Sequence, residues 1–302
     1  MVATRMTMRP RTDRSCRSVE VNVRALLILL LFSGSVHLVA QDRVQIAFGH
    51  VKALINAKTD AQRDSVNELL KASLRVVLDA PDGMTVNLDD LPLSRVDAPD
   101  GRFRLITWNI PRENGTYRYE GFLLGQAGRK SSLFELRDMT GGIASPELAE
   151  LGPDRWFGAL YYQVIPVKKG GRTYYTLLGW KGQSNSETQK VIEVLSFRGD
   201  KPRFGAPVFD GGKLKPQRRI FAFAYQSTMM LHYEAEQQRI VLDHLAAARA
   251  DMEGKPAFMG PDMSFDAFVW NKGEWTYQRD IDLRDPKRDG RPFNAPPKEP
   301  RK

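Results

Sequence analysis

The sequence predicts a mainly β protein: an antiparallel meander, built as a β-sandwich or propeller-like, with an N-terminal amphipathic helical segment. Three observations carry this. From Met84 to Ile281, short apolar or alternating runs are broken by turn residues at close intervals, the spacing of hairpin-linked strands. The breaks have hairpin chemistry: Asn114-Gly115, Gly170-Gly171 and Asn271-Lys272-Gly273 accept the positive φ that tight turns need. The clearest helical period lies ahead of all of them, in Thr59–Leu78.

Residues 1–40 read as a signal peptide. Arg5, Arg9, Arg11, Arg14, Arg17 and Arg24 make a basic leader, Ala25–Phe32 is a short apolar run, Ser33-Gly34-Ser35 breaks it, and Val39-Ala40 offers a cleavage point before Gln41. The run falls short of the roughly 20 residues of a spanning helix, so no stable transmembrane segment is expected after cleavage. The long basic region leaves Met6 or Met8 as alternative starts. Cys16, the only cysteine, leaves with the leader. The mature chain then excludes disulfides, thiol catalysis and cysteine–zinc sites. Removing the six leader arginines with Asp13 and Glu20 leaves 39 basic and 34 acidic residues, a balance of +5. That is a weak field for nucleic acid, and no nucleic-acid partner is expected.

The helical segment spans 41–80. Gln41–Ala57 places Val44, Phe48, Val51, Leu54 and Ile55 at helical spacing. In Thr59–Leu78, Thr59 with Gln62 forms a capping-box pattern, and Val66, Leu69, Leu70, Leu74, Val77 and Leu78 share a face. The opposite face mixes Asp64, Glu68, Lys71 and Arg75, whereas a membrane-lying helix would be mainly basic there. The stripe is therefore expected to pack on the sheet of a single domain. Pro81-Asp82-Gly83 stops the helix.

The β domain spans 81–284. Strands are expected at Phe103–Ile110, Tyr117–Gly125 and Ser132–Arg137, then a connection over 138–157 with one helical turn from Pro146. Residues 158–209 are the centre of the pattern, with strands at Gly158–Pro166, Arg172–Trp180 and Thr188–Phe197. In the last of these, Val191, Glu193, Leu195 and Phe197 share one face and Ile192, Val194 and Ser196 the other. Both faces are largely apolar, the mark of a strand well inside a sheet. Further strands follow at Arg219–Tyr225, Met229–Glu234, Gln238–Leu245, Ser264–Trp270 and Glu274–Ile281, with a loop over 246–262. Residues 285–302, with five prolines among charges, read as a disordered tail.

Trp108-Asn109 with Gly115-Thr116-Tyr117 is faintly echoed at Trp270-Asn271 with Thr276-Tyr277, although the internal spacings differ. Pro99-Asp100-Gly101-Arg102-Phe103-Arg104 before Trp108-Asn109, then Tyr174-Tyr175-Thr176-Leu177-Leu178-Gly179-Trp180, then Phe258-Met259-Gly260-Pro261-Asp262, together resemble a family of secreted bacterial β-rich proteins with no assigned function. The resemblance would cover most of the mature chain and brings no catalytic residues. Pro99–Phe103 is also similar to the turn phrase of TolB-type periplasmic propellers, which show it blade after blade.

Chemistry is sparse. After cleavage the histidines are His50, His232 and His244. A register of 234 against 238 would set His232 opposite Ile240, and no His-x-His or His-Glu-x-x-His pattern supports a metal. Asp243-His244 could orient a base for a serine, yet no Gly-x-Ser-x-Gly turn places one. Asp280, Asp282, Asp285 and Asp289 are interleaved with basic residues and read as solvated charge rather than a calcium site. Glu193, a carboxylate on an apolar strand, is the first of the acids to consider as catalytic, but it needs a partner and is expected to find an Arg or Tyr. Aromatics crowd the hairpins. Trp108, Tyr175, Trp180 and Trp270 are the candidate ligand platforms, against ordinary cross-strand packing. The glycine turns match no phosphate loop, and no cofactor or metal is expected.

The reading is an exported protein, periplasmic or extracellular, serving as a non-catalytic binding or scaffold protein whose partner is an envelope protein or glycan. The alternative is a secreted glycan or ester hydrolase using dispersed acids or Asp243 with His244. A third is a propeller serving as a docking platform.

Overall fold

A computed structural model describes residues 41–283; the expected leader and tail lie outside them. The chain divides into two compact units, Met1–Pro92 and Leu93–Lys302.

The first unit is helical. Helix α1 covers 41–56 and α2 is Asp60–Leu78. The capping box forms as the sequence implies: Thr59 Oγ1 accepts from the Gln62 amide at 3.3 Å, and Gln62 Oε1 accepts from the Thr59 amide at 3.3 Å. The buried stripe of α2 is Asn67, Leu70, Ser73, Leu74, Val77 and Leu78, while Leu69 is exposed. The stripe is thus rotated from the apolar pattern, and one reason is visible. Ser73 accepts a place inside because its hydroxyl bonds Leu70 O at 2.9 Å and His50 Nδ1 at 3.1 Å, satisfying a buried polar group. Arg43 also reaches across the unit to Asp82 at 2.9 Å. Among the described residues, no helix is long and apolar enough to cross a membrane.

The second unit is three antiparallel meanders of consecutive strands. The first is β1 (Ser94–Asp97), β2 (Phe103–Pro111), β3 (Tyr117–Ala127) and β4 (Lys130–Arg137). The second is β5 (Leu160–Lys169), β6 (Arg172–Gly182), β7 (Glu187–Arg198) and β8 (Lys201–Phe204). An added strand, β9 (Arg219–Ala224), pairs with the first half of β7, since β8 covers only its second half. The third is β10 (Leu231–Glu234), β11 (Arg239–Ala247), β12 (Met259–Asn271) and β13 (Glu274–Gln278).

The second meander has both faces covered. Tyr175, Leu177, Val191 and Leu195 enter one core with Phe103, Leu105, Tyr119 and Leu123 of the first meander. Leu178, Ile192 and Val194 enter another with Ile240, Leu242, Phe268 and Trp275 of the third. The period of two sends alternate side chains to opposite faces, so the doubly apolar pattern of β7 feeds two cores. Both cores hold buried polar ties. Tyr119 donates from its hydroxyl to Gly182 O at 3.0 Å, and Trp275 Nε1 donates to Thr176 Oγ1 at 2.9 Å. The first strands β1 and β10 both lie against β5. The unit is thus three antiparallel sheets, with the second sharing one core with the first and another with the third.

Two expectations are corrected. The β10–β11 turn sets Glu234 opposite Arg239, so His232 faces Val241 and not Ile240. The loop expected at 246–262 is shorter, because β11 runs to Ala247 and β12 begins at Met259. Gly260 and Pro261 hide that start; they are tolerated because the ladder is broken by a bulge just beyond them.

Candidate functional site

A cleft of ≈ 860 Å³ opens where β6 and β7 part. Their ladder ends at Tyr175 opposite Leu195. Beyond it, Thr173 and Tyr174 pair only with β5 and Ser196–Arg198 only with β8. The facing main-chain groups have no ladder partner across the gap. Tyr175, Gly205 and Ala206 are its buried floor, and Arg172, Arg198 and Pro207 its exposed rim.

Three arginines line the cleft against one carboxylate, Glu150. Glu150 is already engaged by Arg198 at 2.6 Å. Arg102 is held in place: its guanidinium lies over the Phe197 ring at 4.4 Å and donates to Gly199 O at 2.9 Å and to Gln126 O. Asp200 stands 3.9 Å from it. Arg172 is different. Neither it nor the side chains of Thr173, Tyr174 and Ser196 makes a hydrogen bond or ion pair with any described residue. Among the described residues the cleft therefore gathers one free guanidinium, Arg172, and the free hydroxyls of Tyr174 and Ser196 on the same face, while Thr173 points to the opposite face with Tyr175.

Of the candidate aromatics, only Tyr175 lines this cleft, and it is floor rather than platform. It is 3% exposed, its hydroxyl donates to Asp100 Oδ2 at 2.7 Å, and Phe103 stands edge-on at 5.0 Å. Burial and the Asp100 carboxylate push its hydroxyl pKa up. Trp108 is buried. Trp180 packs edge-on with Tyr117 at 6.1 Å, and Trp270 with Trp275 at 5.1 Å. The Trp270 contact is a cross-strand pair, whereas Trp180 meets Tyr117 across two sheets.

Asp243 and His244 take different hydrogen-bond partners. Asp243 accepts from the Met230 amide at 2.7 Å. His244 instead meets Asp266, which sequence reasoning missed. The pairing of β11 with β12 slips between Asp243 and Leu245, so that Asp262–Ser264 bulge out of β12 opposite His244. Bulges re-aim side chains, and here His244 Nδ1 donates to Asp266 Oδ2 at 2.7 Å. The same oxygen accepts from Tyr277 Oη at 2.5 Å, and Oδ1 from the Asp280 amide at 3.2 Å. Arg279 donates to His244 Nε2 at 3.2 Å. A carboxylate can only accept and a guanidinium only donate, so the neutral Nδ1–H imidazole fits both contacts. Burial and the Asp266 carboxylate push the Tyr277 hydroxyl up, so it stays a donor. Ser227 lies in the turn after β9 with its amide on Ala224 O, and no described hydroxyl bonds His244. His232 reaches only Glu234, at 3.6 Å. No group of three or more metal-ligating side chains forms among the described residues.

Glu193 finds the arginine that burial demanded. Both it and Arg218 are fully buried, with Nε donating to Oε2 at 2.8 Å. Arg218 also donates to Pro146 O, to Ala149 O at 2.9 Å and to Phe204 O at 3.2 Å. The pair fastens the 138–157 connection to the second meander. Lys181 does similar service nearby: it donates to Gly158 O at 2.7 Å and Thr140 Oγ1 at 3.1 Å under the Tyr119 ring. Burial lowers its pKa to about 8, against the pull of Asp138.

Comparison with protein-family models, curated proteins and solved structures finds no match for this chain.

Proposed function

We propose that the protein is an exported, non-catalytic binding protein of the cell envelope, with its ligand site in the cleft between β6 and β7. The observation that carries this is the set of polar groups uncommitted among the described residues, Arg172, Tyr174 and Ser196, on one face of the sheet at a cleft of ≈ 860 Å³. Ligand sites have such volumes, about 300–1,000 Å³, with a few convergent polar groups. The walls are strands and their hairpin ends, so the site is preorganised and little ordering entropy is lost on binding. Export rests on the basic leader and apolar run of residues 1–40 and on the resemblance to secreted β-rich proteins.

The test is thermal denaturation of residues 41–302 with glycans, cell-wall fragments and metal ions. A ligand of the native state adds about 2.7 kcal/mol at a hundredfold over its Kd. We expect a glycan to raise the Tm, and Arg172→Ala to abolish the rise. A flat response to every glycan, with Arg172→Ala alike, would count against the reading. Fractionation of cells expressing the full chain should find a product starting at Gln41 outside the cytoplasm.

A second reading, a hydrolase, is favoured by one observation, the Asp266–His244 pair. Arg279 occupies the nitrogen that a base would use. His244→Ala should therefore leave any ester or glycan hydrolysis by the purified protein unchanged; a loss of such activity would revive this reading.

A further inference from the structure

The chemistry around the cleft narrows its ligand. Its carboxylate, Glu150, is spent on Arg198, and Arg102 is stacked and hydrogen-bonded in place. Arg172 is left exposed and without a partner among the described residues. A free guanidinium beside two further arginines favours an anion, and its fork matches a planar carboxylate with two parallel hydrogen bonds. Charge alone does not account for the rest of the lining. The cleft is far larger than a simple ion needs, and Tyr174 and Ser196, on the face of Arg172, each present a hydroxyl that can both donate and accept. Such groups pair with other hydroxyls. Of the aromatic side chains that line the cleft, Phe197 lies under Arg102 and Tyr175 is closed in the floor, which leaves Tyr174.

Resting on the reading of this cleft as a binding site, we propose that its ligand is an acidic oligosaccharide whose carboxylate is held by Arg172 and whose hydroxyls are met by Tyr174 and Ser196. The main-chain groups left unpaired where β6 and β7 part supply further donors and acceptors. An acidic peptide would share the charge but not the hydroxyls.

Isothermal titration of the purified protein with trigalacturonate, its fully methyl-esterified form, triglutamate and inorganic phosphate tests this. Trigalacturonate should bind saturably, at least ten-fold tighter than the ester, and the affinity should fall with added salt. Arg172→Ala should weaken trigalacturonate at least ten-fold and leave the ester unchanged, since the charge pair is already absent there. Arg172 is exposed and unpartnered among the described residues, so this variant should melt with the wild type. Ester binding equal to the acid, still lost on Tyr174→Ala, would overturn the acidic class and leave the binding site standing. Phosphate or triglutamate binding as tightly as trigalacturonate would overturn the sugar. No saturable binding by any of the four probes, together with no thermal response to the wider glycan set, would overturn both this proposal and the binding reading.

Discussion

Glu193 and Arg218 show how one residue's burial dictates another's identity. A carboxylate with no solvent contact is held ionised only by a partner in reach, and burial pushes its pKa up while the guanidinium pulls it back. Removing one partner strands the other. We expect Glu193→Ala to cost about 3–5 kcal/mol by chemical denaturation, and the Glu193→Ala/Arg218→Met double variant to cost less than the two single losses combined. Equal, additive costs would mean that the pair is not a unit. Lys181 makes a pH-dependent case. Its folded pKa is about 8 against an ordinary 10.5. Between those values the unfolded chain binds a proton that the folded chain does not, so stability rises with pH across this window, by up to about 3 kcal/mol. Tyr119 and Tyr161 act in the opposite sense. Burial raises their pKa, so the folded state keeps protons that the unfolded state loses above pH 10, and stability then falls. The rise should therefore be seen from pH 8 to just below 10, and Lys181→Met should flatten it. An identical slope in the variant would exclude Lys181 as its source.

At the scale of elements, close approach decides as much as hydrogen bonding. Gly158 precedes β5 where the first two meanders meet. A Cβ there would lie 2.4 Å from Tyr119 Cβ and 2.7 Å from Asp138 Cγ, with no flexible side-chain end to give way. Gly158→Ala should cost about 1–3 kcal/mol by overpacking. Gly171, in the β5–β6 turn, sits at φ +75° with open space around it. Its alanine variant should lose only about 1 kcal/mol, through backbone strain. Thermal melts of the two, side by side, separate the causes. The same contrast explains what the sequence made legible. The capping box of α2, the hairpin turns and the two-faced apolar pattern of β7 are local, and residues a few positions apart announce them. The start of β12 is masked by Gly260-Pro261, whose bulge depends on pairing with β11. Asp266 is 22 positions from His244, so nothing in Asp243-His244 could show that the adjacent aspartate turns away. The cleft draws on Arg102, Glu150, Arg172 and Arg198, each unremarkable in its own stretch. Its existence depends on where the β6–β7 ladder stops, which no side-chain pattern encodes.

At the scale of the second unit, the three meanders are not equal. The first and third each contribute to one of the two cores described, whereas the second contributes to both. Leu177 and Leu178 are neighbours on β6, both fully buried, yet they serve different cores. Truncating either should cost about 2–5 kcal/mol. Because the strand between the cores is shared, neither loss can be confined to one side. Opening the second meander exposes both apolar faces at once, so its amides should open only with the whole unit, whereas outer strands can fray locally. Hydrogen exchange should then be slowest in Leu177–Leu178 and Val191–Leu195. It should be faster in β4, whose chain is mostly exposed or half-buried and carries Lys130, Glu135 and Arg137 along its edge. Leu178→Ala should speed exchange on the far side of the shared sheet too, in Leu105 and Leu123, and not only in β11 and β12. If protection falls in the third meander alone, the cores are thermodynamically separate and the second meander is a spacer between two independent folding units.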